Sequence, residues 1–78
     1  MKFTFIVEKA GSTLIEQFEG ENVVEATRRW FDCSESEPGQ PRELEEPSPI
    51  TDVVNVWCTS GIDPRGDFFL VNIVATAV

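Results

Sequence analysis

The last eleven residues of the chain, Phe68–Val78, contain no charged side chain and alternate in the manner of a β-strand. Large apolar side chains fall on both faces of this strand: Phe69, Val71 and Ile73 on one, and Phe68, Leu70 and Val74 on the other. Strands of this kind are found where a sheet has a layer on each side. We therefore expect this strand to be covered on both faces, which restricts the fold more than any other segment does.

Three other segments have the aromatic, β-branched and alternating composition of strands. They are Lys2–Glu8, Thr13–Glu19 and Thr51–Thr59. A turn over residues 9–12, in which Gly11 can take positive φ, joins the first two. Residues 60–67 form the loop before the last strand. The second segment is predicted to lie at an edge of the sheet, because it carries Glu16 among apolar residues and edge strands use charge to discourage pairing with other chains.

Residues 22–33 have the apolar spacing of one amphipathic helix. Asn22 is suited to cap its N-terminus, and Glu25 follows three residues later, as in a capping box. The apolar side of the helix, which we call the helix stripe, consists of Val23, Ala26, Thr27, Trp30 and Phe31. The helix is expected to end near Cys33. The element order ββαββ predicts one small α+β domain over residues 1–78. Its four-stranded, mainly antiparallel sheet would carry the helix on one face.

The segment between the helix and the third strand, residues 34–50, differs in composition from the rest. It holds four of the five prolines and five glutamates, against one basic residue, Arg42. A connection of this length is uncommon in a compact domain and is usually functional or disordered. We predict a long acidic, Pro-rich loop with extended structure.

The chain contains no histidine and no tyrosine. This removes the side chain that most often acts as a general base near neutral pH. The two cysteines, Cys33 and Cys58, are too few to form a zinc site alone, and no phosphate-binding glycine motif is present. We therefore predict a protein that is not an enzyme and uses no metal or cofactor. Both thiols are expected to be buried and reduced, as in a cytoplasmic protein.

The charge balance is strongly acidic, with 14 acidic and 6 basic residues and a net charge of −8. Nucleic acids and anionic membranes bind clustered Lys and Arg side chains, so neither is expected as a partner. The longest uncharged run has eleven residues, whereas a membrane-spanning helix needs about 20 apolar residues.

A mismatch between helix and sheet points to association. One helix of about 12 residues is ~18 Å long and covers one face of a four-stranded sheet. Apolar residues on the other face, such as Ile6 and either Phe68 or Phe69, then need a different cover. Three alternatives remain open: the 34–50 loop acting through Leu44, a second copy of the chain as a homodimer, or a different protein. The alternating pattern does not decide on which face of the sheet Trp57 lies. Trp57 is our first candidate for an interface residue.

The glutamates of the acidic loop are candidates for steering a basic protein partner. Small acidic inhibitor, immunity and antitoxin proteins bind basic sites in this way. The alternative is a solvated linker whose charge keeps a small domain soluble. The candidate interaction residues are Trp57, Leu44, Glu35, Glu37, Glu43, Glu45 and Glu46.

The opening hairpin and the following helix, which contains Val24-Glu25-Ala26, resemble the first part of HicB-type antitoxins. The glycine–cysteine turn that precedes the helix in that family is missing here, and this chain has one strand fewer. The resemblance implies an inhibitory function. A second class of function also stays open, namely a small-ligand-binding or sensory domain with a pocket between helix and sheet near Trp30 and Trp57.

Overall fold

The computed structural model describes residues 1–33, 43–62 and 66–77. In chain order the elements are β1 (Lys2–Lys9), β2 (Ser12–Glu19), α1 (Val23–Cys33), β3 (Glu43–Leu44), β4 (Ser48–Pro49), β5 (Val56–Ile62) and β6 (Phe68–Ala77). One helix packs against an antiparallel sheet, so the predicted α+β class is confirmed.

The strands pair in the order β2-β1-β6-β5-β3, and β4 pairs with β5 alongside β3. The prediction of four strands is therefore wrong in number, because two short segments of the predicted 34–50 loop join the sheet. Strands of two residues are too short to show an alternating pattern, so the sequence gives no sign of them. The rest of that predicted acidic loop, residues 34–42, lies outside the described residues.

β6 lies inside the sheet, between β1 and β5. One of its faces is buried, with Phe69, Val71 and Ile73 in the core. On the other face Phe68 and Leu70 are exposed. The expectation that both faces are covered is therefore wrong for the part of the chain that the structure describes.

A turn of two residues, Ala10 and Gly11, joins β1 to β2, with Lys9 opposite Ser12 in the register. The φ angles are 50° at Ala10 and 80° at Gly11. Positive φ at both central positions is typical of the type I′ turn, whose twist matches that of a β-hairpin. The hairpin places β2 at the edge of the sheet, as its charge pattern predicts.

The helix begins at the predicted cap. Asn22 Oδ1 accepts a hydrogen bond from the Glu25 N–H at 2.9 Å, which satisfies one of the free donors of the first turn. Gly20 lies under this turn, and a Cβ placed on it would come 2.7 Å from the backbone nitrogen of Ala26. Glycine at position 20 therefore allows the helix to start close to the end of β2.

Aromatic side chains fill the space between α1 and the sheet. The Trp30 ring stacks on Phe5, with centroids 5.5 Å apart and an interplanar angle of 9°. Phe69 meets the same indole edge-on at 6.0 Å. The predicted helix stripe faces this core, with Ala26, Thr27 and Trp30 buried and Val23 and Phe31 half-buried.

The third long strand starts later than predicted, at Val56 instead of Thr51, and continues to Ile62. Residues 51–55 form a turn region in which Asp52 and Asn55 have φ angles of 65° and 63°. Asn and Asp adopt this left-handed conformation more easily than other side chains do. The turn leaves the adjacent Val53 and Val54 exposed, although their composition favours a strand.

Candidate interaction surfaces

The side of the sheet opposite α1, which we call the open face, is defined by the strand register. It carries Lys2, Thr4, Ile6 and Glu8 of β1, Thr13, Ile15, Gln17 and Glu19 of β2, Val56, Cys58, Ser60 and Ile62 of β5, and Phe68, Leu70, Asn72 and Val74 of β6. Among residues 1–33, 43–62 and 66–77, no helix packs on this face.

Apolar side chains cross the open face diagonally and form what we call the apolar stripe: Ile62, Phe68, Leu70, Ile6 and Ile15. The exposed fractions are 64% for Ile15, 62% for Phe68, 42% for Ile62 and 37% for Leu70. Contiguous exposed apolar side chains, unlike single ones, mark surfaces that bind other molecules. The stripe is therefore the strongest candidate site in the described part of the chain.

One corner of the open face is polar and hydrogen-bonded across three strands. Gln17 Nε2 donates to Thr4 Oγ1 at 3.1 Å, and Thr4 Oγ1 donates to Thr76 Oγ1 at 3.0 Å. Thr76 Oγ1 in turn donates to the Lys2 carbonyl at 3.1 Å. These bonds hold β2, β1 and β6 together and limit the apolar surface on that side.

The open face carries little charge. The register places one basic side chain, Lys2, and two acidic ones, Glu8 and Glu19, on its strands. Lys2 and Glu19 are direct cross-strand neighbours. Because the whole chain has a net charge of −8, most of the negative charge belongs to other parts of the protein.

The two edges of the sheet differ. Along β5, residues 43–50 run antiparallel to the strand: Glu45 N–H donates to the Ser60 carbonyl at 3.0 Å, and Ile50 N–H to the Val56 carbonyl at 3.1 Å. The buried Thr59 hydroxyl donates to the Glu45 carbonyl. Along β2, at the other end of the strand order, none of the described strands pairs with the outer side.

The structure separates the predicted interaction residues. Trp57 lies on the helix face, half-buried, with its ring 5.9 Å from that of Phe3. Glu45 and Glu46 are exposed beside β5. Glu43 and Leu44 form β3, while Glu35 and Glu37 lie outside the described residues. None of these residues belongs to the apolar stripe.

Phe68 and Leu70 are the stripe residues that the sequence could have identified. The alternation of β6 places them on one face once its other face is assigned to the core.

Two further side chains bear on the remaining predictions. Trp30 Nε1 is buried and has no hydrogen-bond acceptor among the described residues. Cys33 is a free thiol and is exposed, so the prediction that both thiols are buried is wrong for this residue, whereas Cys58 is half-buried. Cys33 occupies the last position of α1, beyond the end of the helix stripe.

No protein-family model matches the chain, and searches of curated proteins and of solved structures found no match either. Within the described ranges, no helix combines the length and the apolar character that crossing a membrane requires. The same residues contain no group of three His, Cys, Asp or Glu side chains placed to hold a metal ion.

Proposed function

We propose that this protein is a non-enzymatic interaction module that forms a dimer with a second copy through its open face. The observation that carries the proposal is the apolar stripe, in which Phe68, Leu70 and Ile15 are exposed on one surface. Burying apolar area contributes about 25 cal/mol per Å². Covering the stripe therefore stabilises an assembly.

Charge favours a second copy as the occupant of this face. A partner selected by charge would be expected on an acidic surface, whereas the open face carries one basic and two acidic side chains. Two such faces repel each other little. The remaining acidic surface, in a chain of net charge −8, would discourage contact between copies in other orientations.

The area of the open face sets the affinity that we expect for the dimer. Four long strands spaced about 4.8 Å apart, each about seven residues long at ~3.3 Å per residue, give a projected area of about 450 Å². Protruding side chains make the accessible area larger than this projection, but a standard interface buries about 800 Å² on each partner. We therefore expect a reversible dimer with a Kd of about 10–100 µM.

Sedimentation equilibrium of the full chain tests the proposal. The wild type should show a monomer–dimer equilibrium, and Leu70→Glu should be monomeric because it places a charge in the centre of the stripe. Ile15→Glu, at a more exposed position, should act in the same direction with less effect on folding. Val54→Glu is the matched control, because Val54 is an exposed apolar residue in the turn before β5 and lies off the open face. A wild-type monomer at about 0.5 mM, or unchanged dimers in both stripe variants, contradicts the proposal.

A small-ligand-binding function remains the second candidate because of Trp30 Nε1, a buried donor without an acceptor among the described residues. A ligand that supplied the acceptor would offset the cost of the unpaired donor. A thermal-shift screen separates the two functions. A ligand that binds the native state raises Tm at any protein concentration, whereas dimerisation makes Tm depend on protein concentration.

A further inference from the structure

The outer edge of β2 has the geometry to accept another strand. β2 is eight residues long, and among the described strands it pairs with β1 alone, along its inner side. In a hairpin with a two-residue turn, the residues next to the turn form a hydrogen-bonded pair, and such pairs then alternate along the strands. Ser12, Leu14, Glu16 and Phe18 therefore bond to β1. The backbone N–H and C=O groups of Thr13, Ile15 and Gln17 point outward.

Apolar side chains flank this edge on both faces of the sheet. Leu14 lies on the helix face and is 56% exposed, and Ile15 lies on the open face and is 64% exposed. A strand added beside β2 would cover part of both. Main-chain hydrogen bonds supply affinity in this mode of recognition, and alternate side chains supply specificity.

The other edge of the sheet shows how this protein closes an edge. Residues 43–50 lie along β5, and Pro49 pairs with Trp57 in the register. Short strands and prolines are common means of blocking further pairing. β2 has neither, because its sequence contains no proline and is continuous over Ser12–Glu19.

Charge decides what fits the β2 edge. β2 contains Glu16 and Glu19 and no basic residue. Glu16 would occupy a non-hydrogen-bonded pair with an added strand, where side chains come closest. In an antiparallel pairing with a second copy centred near residue 16, Glu16 would lie opposite its counterpart or about 7–8 Å away, which is unfavourable. A basic residue at the opposing position instead gives a favourable cross-strand pair.

We propose that β2 binds an extended segment of another protein by antiparallel strand addition, and that this segment carries Lys or Arg opposite Glu16 and Glu19 with apolar residues opposite Leu14 and Ile15. The site adjoins the dimer surface and shares Ile15 with it, but the added strand lies beside the sheet and not on its open face.

Peptide titration by amide NMR tests this site. The probe is an acetylated and amidated heptapeptide, Lys-Val-Thr-Lys-Ile-Val-Thr, which places its two lysines opposite Glu19 and Glu16. Its partner peptide carries Glu in place of both lysines. The lysine peptide should shift the Ile15 and Gln17 amides and slow their hydrogen exchange. It should bind at least about fivefold more tightly than the glutamate peptide, from two cross-strand charge pairs of up to about 1 kcal/mol each.

Variants of the protein assign the effect to the edge. Glu16→Lys should abolish the preference between the two peptides, because each peptide then has one favourable and one unfavourable charge pair, at positions 16 and 19. Glu46→Lys makes the same charge change at an exposed position beside β5 and should leave the preference intact. The Leu70→Glu variant should bind the lysine peptide like the wild type, so the edge site is measured independently of dimerisation. The proposal is overturned if the wild type binds the two peptides equally, if the shifts centre on the open face, or if millimolar peptide causes no shifts. It is also overturned if protection of the Ile15 amide depends on protein concentration alone.

Discussion

Ala10 shows a conflict between residue type and backbone conformation. It occupies the first position of the β1–β2 turn with a φ angle of 50°, in the region where Asn, Asp and Gly are favoured. The sequence correctly predicts a turn because Gly11 is present. It does not predict that Ala10 also has positive φ, since the two-residue length depends on the pairing of Lys9 with Ser12.

We predict that Ala10→Asn raises the free energy of unfolding by about 0.5–1 kcal/mol, because Asn adopts the left-handed conformation at lower cost. Urea denaturation followed by tryptophan fluorescence measures the change as a higher midpoint. Gly11→Ala is the control of opposite sign. Among the described residues a Cβ at Gly11 meets nothing within 4 Å, but its φ of +80° is unfavourable for alanine. If neither substitution changes the midpoint, the turn is not of this type.

The elements differ in how well the sequence predicts them. The sequence predicts α1 from Asn22 to Cys33, because a capping side chain and a stripe of spacing 3.6 are both local signals. It predicts a start of β5 that is too early, because Val53 and Val54 favour a strand, whereas Asp52 and Asn55 beside them adopt turn conformations. β3 and β4 depend on backbone pairing with β5, and no pattern within two residues reports such pairing.

Thr59 provides a test of how residues 43–50 are held against β5. Its buried hydroxyl donates to the Glu45 carbonyl, and Thr59→Val keeps the shape while removing that donor. We predict a loss of about 1 kcal/mol in stability and an exchange rate of the Glu45 amide that is about five times faster. Hydrogen exchange measured by NMR reports both. Ser60→Ala is the control, because the Glu45 N–H bonds to the Ser60 carbonyl and the side chain is not needed. Unchanged Glu45 exchange in Thr59→Val would show that this bond does not hold the segment.

At the scale of the whole molecule, the sequence predicts that apolar area remains uncovered, but it does not predict where. Counting apolar residues on both faces of β6 shows an excess over what one helix covers. Locating the excess needs the strand order, which brings Ile15 of β2 onto the same face as Phe68 and Leu70 of β6. The sequence instead predicts Trp57 as the interface residue, whereas Trp57 packs against Phe3 on the helix face.

The two proposed contacts should respond to salt in opposite directions. Dimerisation brings together two chains of net charge −8, so screening should strengthen it as salt rises from about 20 mM to about 500 mM. Binding of the lysine peptide relies on attraction to Glu16 and Glu19 and should weaken over the same range. Sedimentation equilibrium and NMR titration at both salt concentrations measure the two effects. Parallel responses would mean that charge does not distinguish the two surfaces.

The difference between the two sides of the sheet also limits how far the protein can polymerise. Since residues 43–50 already occupy the backbone groups along β5, the described part of each copy leaves one side, at β2, on which its ladder can be extended. A strand added at β2 therefore ends the ladder, because the copy cannot pass the pairing on through its β5 side. Strand pairing alone should not extend copies of this protein into fibrils.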